Sequence, residues 1–120
     1  MKNKSILFLV IVLSLAGIMF IQGCGQIAGA NFLAAKGTAL YNAGRYEEAV
    51  EPLEGAIKVR AGHGKAHYYL ALTYLKLGQK EKAVNLLKSY LVYVKKPNVW
   101  LGTYDKQAIP KCKSLLGQLE

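Results

Sequence analysis

The sequence has little of what carries covalent chemistry. Its two cysteines, Cys24 and Cys112, are too few and too differently placed for a disulfide framework. It contains no glycine-rich phosphate loop, no paired-carboxylate site and no nucleophile beside a base, so neither an enzyme nor a cofactor is expected. Charge is plentiful but not concentrated. The formal net charge is +9, yet no run of five or six like charges marks a nucleic-acid tail, and the excess reads as a solvated basic face. Long apolar runs are also missing. The longest, Ile6 to Ile21, is 16 residues broken only by Ser14 and Gly17. At about 1.5 Å per residue it spans roughly 24 Å, short of a hydrocarbon core of about 30 Å. With 120 residues the chain is at most one domain.

Lys2 and Lys4 precede the apolar run, and small residues follow it. A cationic start, a short greasy stretch and small residues describe an export signal better than a spanning helix. The tetrapeptide Ile21-Gln22-Gly23-Cys24 resembles a lipobox, at which the bacterial lipoprotein pathway acylates the cysteine and cuts just before it. Ile21 and Gly23 fit that pattern, whereas Gln22 departs from it. The alternatives are an uncleaved anchor and an ordinary cleaved signal. The resemblance implies residues 1–23 as signal, Cys24 as the lipid-bearing residue and membrane attachment through its acyl chains. One chain holds marginally and two or more hold stably. A Cys24–Cys112 disulfide would require Cys24 to escape acylation. Gly25 stands where many lipoproteins kept at the inner membrane have Asp, so the resemblance implies an outer-membrane protein facing the periplasm if the cell is diderm. Residues 24–29 read as a flexible tether because Gly23, Gly25 and Gly29 lie among small residues.

From Leu33 to Leu91 one pattern is written twice. Gly44 and Gly78 are 34 residues apart, and the same offset pairs Glu47 with Glu81, Ala49 with Ala83, Val50 with Val84 and Leu53 with Leu87. Softer pairs at that spacing are Gly37 with Ala71, Leu40 with Tyr74, Ala56 with Tyr90 and Ile57 with Leu91. The apolar spacing predicts helices over about Ala30–Asn42, from near Tyr46, over Lys65–Leu77 and over Lys80–Val94. Gly44 and Gly78 end two of them. Pro52 and Gly55 should weaken or kink the second. Ala61-Gly62-His63-Gly64 is the loop between the two copies.

A 34-residue period of paired helices resembles the tetratricopeptide repeat. Gly37, Ala49 and Ala56 fill that family's small positions in the first copy, and Ala71 and Ala83 do so in the second. Tyr90 is a bulky departure. Leu33 and His67 stand where an aromatic is common, and the closing proline is absent at Ala61, while Pro97 lies near the second repeat's end. The resemblance implies an all-α chain, a right-handed α-solenoid fragment with repeats at about 30–63 and 64–97. After Pro97 the period fails. Asn98, Val99, Leu101, Tyr104 and Ala108 suit a further helix, and Pro110 either kinks it or begins another. Ile109, Cys112, Leu115, Leu116 and Leu119 form an apolar stripe, so residues 98–120 read as a terminal cap.

Members of that family commonly hold peptides or helices along the surface lined by the first helix of each repeat. Carried over position by position, this implies a groove of Asn31, Ala34, Thr38, Tyr41 and Asn42 from the first copy. The second copy gives Lys65, Tyr68, Tyr69, Leu72, Leu75 and Lys76, and Lys106 would extend it. Apolar and aromatic residues rimmed by lysines suit an amphipathic or acidic segment of a protein partner. The family's carboxylate clamp needs Lys and Asn where this chain has Ala34, Thr38 and Leu72. Alternatively, Tyr68, Tyr69 and Leu72 pack against a neighbouring helix or a second copy. His63 and His67 are four apart, but the flanking glycines put His63 in a loop, so structural histidines are expected rather than a metal site. Cys112 is expected in the core, and Trp100 and Tyr104 in cap packing. The functional expectation is a non-enzymatic envelope lipoprotein that binds a protein, such as a pilotin-like assembly factor. The alternative is a self-associating structural component. A short array leaves greasy end faces, so marginal stability alone and gain from association are also expected.

Overall fold

The structure is a computed structural model. It describes the backbone of residues 2–97 and 104–120, and the side chains of those residues apart from 2 and 13–26. Five helices occur among the described residues: α1 (Lys2–Asn42), α2 (Tyr46–Val59), α3 (Gly64–Lys76), α4 (Lys80–Tyr93) and α5 (Ala108–Leu119). Each packs on the next, and α1 also meets α3 as α3 meets α5. That order is a stack of two layers, with α1, α3 and α5 in one and α2 and α4 in the other. The molecule measures 70 × 33 × 20 Å. Its length comes from α1, whose 41 residues extend roughly 60 Å at 1.5 Å per residue.

Two glycine stops set the repeat. Gly44 and Gly78 have φ of 76° and 74°, in the left-handed region that a Cβ disfavours. After each, the chain closes the same way. Gly44 N donates to Tyr41 O at 3.0 Å and Arg45 N to Leu40 O at 2.9 Å. Gly78 N donates to Leu75 O at 3.1 Å and Gln79 N to Tyr74 O at 2.7 Å. These paired bonds are the Schellman closure, which satisfies carbonyls that a helix end leaves open.

The core runs as one cluster from Ala34, Ala49, Leu53 and Ala56 through Leu70, Ala71, Tyr74 and Leu87 to Ala108 and Cys112. In the first repeat the helices meet at Gly37, where a Cβ would fall inside contact distance of the Leu53 side chain. The expected helices fall where the period put them, with three differences. The tether expected at 24–29 is helical, because α1 runs unbroken through Gly25 and Gly29, overriding a propensity cost of about 1 kcal/mol per glycine. Pro52 and Gly55 do not end α2. Pro52 is buried, and Gly55 leaves room for Leu33, whose Cδ1 lies 3.3 Å from where a Cβ would sit. The further helix expected from Asn98 lies partly outside the described residues, as do Val99, Trp100 and Leu101. Tyr104 to Gln107 are not helical, and α5 begins at Ala108. Pro110 therefore sits in the first turn, where no helical N–H is lost.

Candidate protein-interaction face

The layer made by α1, α3 and α5 carries a strip of tyrosines. Tyr41 comes from the last turn of α1, Tyr46 from the first residue of α2, and Tyr68 with Tyr69 from the first half of α3. Their rings follow one another as Tyr46, Tyr41, Tyr69 and Tyr68, with centroids 5.4, 5.5 and 5.6 Å apart. The last two contacts are edge-to-face, at 74° and 87°, the arrangement the ring quadrupole favours. All four side chains are half-buried. Burial first, and the neighbouring Tyr46, Tyr68 and Tyr69 second, push the Tyr41 phenol above its ordinary value.

Two clefts continue the strip onto α5. One, of about 330 Å³, is lined by Lys65, Tyr68, Tyr69, Asp105, Gln107 and Lys111 among others. The next, of about 350 Å³, is lined by Tyr68, Pro110, Lys111, Ser114, Leu115 and Gln118. The Lys65 ammonium stands 6.0 Å from the Tyr69 ring centroid. Residues 111, 114, 115 and 118 recur at helical spacing, so α5 presents a face to the clefts as α3 does. The sequence reading left them out because it followed the 34-residue register, which residues 98–107 break.

The other expected groove residues divide. Leu72 is half-buried, and Asn42, Lys65 and Lys76 are exposed. Thr38 is instead buried and turned onto its own helix, its Oγ1 donating to Ala34 O at 2.8 Å. Ala34 is buried in the core, and Leu75 packs against the core from outside. Asn31 and Lys106 line a different cleft with Arg60, His63 and Tyr104. On the opposite layer, Glu54 accepts from the Tyr74 hydroxyl at 2.6 Å. Burial, then this bond, push Tyr74 up to about 12.

The histidines are structural. His63 caps α3, its Nδ1 accepting from Ala66 N at 3.2 Å, so its proton sits on Nε2, 3.0 Å from Asn31 Oδ1. His67 donates from Nδ1 to His63 O at 2.9 Å, and its ring stacks on Tyr90 at 4.6 Å and 27°. Burial, ahead of the Arg60 charge for His63, lowers both pKa values. Among the described residues no group of three His, Cys, Asp or Glu is placed to hold a metal. Cys112 is fully buried and burial pushes its thiol up to about 11, which keeps it protonated and unreactive. Among the described residues no helix is long and apolar enough to cross a membrane.

A family model of the tetratricopeptide repeat matches residues 34–98, more than half of the chain and the span of the two glycine-stopped pairs. The chain belongs to the tetratricopeptide repeat family. No curated protein and no solved structure matches it. Repeats of this family are a protein–protein interaction type.

Proposed function

We propose that this tetratricopeptide repeat protein is a non-enzymatic, lipid-anchored component of the bacterial envelope that holds a segment of a protein partner on its tyrosine face. The observation that carries the reading is the strip itself. Four half-buried tyrosines run from the start of α2 across the end of α1 and α3 toward α5, flanked by Lys65 and Lys111. Tyrosine is among the side chains enriched in interaction hot spots, and the lysines stand at the position of a polar, solvent-exposed rim. The anchor rests on the Ile21-Gln22-Gly23-Cys24 sequence after a basic, apolar start. Acylation at Cys24 and cleavage before it would leave α1 beginning at the lipid. The face would then sit close to the membrane, in a diderm cell on the periplasmic side of the outer membrane. A role in assembling a larger envelope complex, as pilotins have, suits an anchored holder of this size.

A second reading is self-association. The outer side of the first repeat is open, a cleft lined by Leu33, Leu40, Pro52 and Gly55 with Lys36 and Glu48 at its edge. A second copy docked there would supply the neighbour a short array lacks.

Photo-crosslinking in the native cell separates the two. A crosslinker at Tyr68 or Leu72 should capture one discrete protein, and one at exposed Asn85 on α4 should not. Capture of the chain itself from Leu40, with nothing from Tyr68, would replace the first reading by the second. For the anchor, a tagged fatty acid fed to the native cell should label the chain and Cys24→Ser should abolish the label; an unlabelled wild-type chain would refute lipidation.

A further inference from the structure

Taking the tyrosine face as the partner site, we propose that its ligand is a proline-rich segment in the polyproline II conformation with an acidic residue beside it. The walls of the face are helices, whose backbone donors and acceptors are spent within them. A strand-forming ligand therefore finds no edge to pair with. Polyproline II asks for none, since its own backbone carbonyls stay solvated and its three-residue turn is preformed. What it asks for is a continuous aromatic surface and a few donors.

Both are here. The four rings follow at 5.4, 5.5 and 5.6 Å. A polyproline II turn rises about 9 Å, so prolines on one side of the ligand would recur at close to every second ring. Because two of the three ring contacts are edge to face and the third is tilted, the strip presents ridges rather than a flat sheet. Pyrrolidine rings pack on such a surface with little entropy to lose. Among the described residues no hydrogen bond uses the hydroxyls of Tyr41, Tyr46, Tyr68 or Tyr69, which leaves them as donors for ligand carbonyls. The rim sets the polarity. Lys65 and Lys111 flank the α3–α5 cleft against one carboxylate, Asp105, whose Oδ1 already accepts from Gln107 N at 3.0 Å. An acidic residue next to the prolines would meet the two ammonium groups, affecting on-rate and orientation more than affinity. A docked helix would instead want pockets at i, i+3/i+4 and i+7, and this strip offers ring surface.

The test is calorimetric titration of the full chain in detergent micelles with three peptides of equal length. One is a proline run ending in Glu, one is the same run with alternate prolines replaced by alanine, and one is an acidic amphipathic helix. The proline run should bind at least tenfold tighter than either of the others. Tyr69→Ala should weaken it tenfold or more, and Tyr68→Ala, at the strip's end, several-fold. Tyr69→Phe, which keeps the ring, should cost only two- to threefold. Lys111→Ala should weaken the proline run ending in Glu several-fold and leave a fourth peptide, the same run ending in Gln, unaffected. Tighter binding of the helical peptide would overturn the polyproline assignment while leaving the face as a partner site. Equal binding of the first two peptides would also overturn it. If no peptide binds, the assignment falls, and crosslinking from Tyr68 decides independently whether the face holds a partner at all.

Discussion

The two repeats share a register and solve the same packing problem in opposite ways. In the first, a small residue on each helix lets the backbones close. Gly37 lies against Leu53, and Ala56 is fully buried. In the second, Tyr90 stands 34 residues after Ala56 and is just as buried. Its bulk is accommodated by a glycine elsewhere, because a Cβ on Gly64 would collide with the Tyr90 hydroxyl and with Ala108. The ring stacks on His67, and its hydroxyl donates to Asp105 O at 2.9 Å. Asp105 N in turn donates to Gly62 O at 3.1 Å. The first repeat thus packs only on the second, while the second also holds the start of α5. That difference matters for the proposed face, because α5 adds the clefts beside Tyr68 and Tyr69.

The comparison can be broken from its strongest point. Tyr90→Ala empties a fully buried ring site and removes the bond to Asp105, and should cost about 3–5 kcal/mol in denaturant unfolding. The equivalent Ala56→Gly in the first repeat should cost roughly 1 kcal/mol, as for glycine in any helix interior. Overpacking comes next. Gly64→Ala and Gly37→Ala should each destabilise by about 1–3 kcal/mol. The two differ in what relieves them. Gly64→Ala should be cheaper in a Tyr90→Phe background, a coupling a double-mutant cycle detects at roughly 0.5 kcal/mol or more, whereas Gly37→Ala should be indifferent to Tyr90→Phe. The turns are alike in both repeats, so Gly44→Ala and Gly78→Ala should cost the same, about 1–2 kcal/mol each, from the left-handed φ alone. Unequal losses there would mean that the repeats differ at their stops as well as at their helix interface.

Acid sharpens the contrast. His63, which caps α3, and His67, in its first turn, both stand at the entry to the second repeat and have lowered pKa values in the folded chain. The unfolded chain then binds more protons at and below the ordinary histidine value of 6.5. Stability should be level above about pH 7.5 and fall as pH drops through 6.5 and below. Protonating His63 Nδ1 also removes the acceptor for Ala66 N. Arg60 and Lys65 near His63 oppose that protonation and Asp105 favours it. A His63→Asn variant, whose amide oxygen still caps the helix, should lose part of the acid sensitivity in melting temperatures measured from pH 8 to 5. An unchanged profile would contradict the histidine assignment.

What could be read from the residues follows from how local the cause is. The glycine stops and the four repeat helices are written in short-range spacing, whereas the groove side chains came only from the family resemblance. Thr38, which the family resemblance implied in the groove, is instead buried with its hydroxyl satisfied on Ala34 O, a side-chain choice that a position in a repeat does not fix. The pairing of Tyr90 with Gly64 is tertiary, between residues on different helices, and no period reveals it. The share of α5 in the face was hidden for a related reason. Its register is set by Asp105 holding Gly62 and not by counting from Gly78.

In this structure α5 is the third helix of the layer that carries the face, held through the second repeat. Cys112, fully buried between α5 and its neighbours, reports on it. The measurement is the rate of thiol modification of Cys112 in the full-length Cys24→Ser chain, set beside the rate of global unfolding followed by circular dichroism. The account predicts that the thiol reacts only as fast as the whole chain unfolds, and that Tyr90→Ala raises both rates together. Prompt labelling of Cys112 in a chain whose helices remain intact would contradict it, because α5 would then be a loosely attached tail and the face would end at Tyr68.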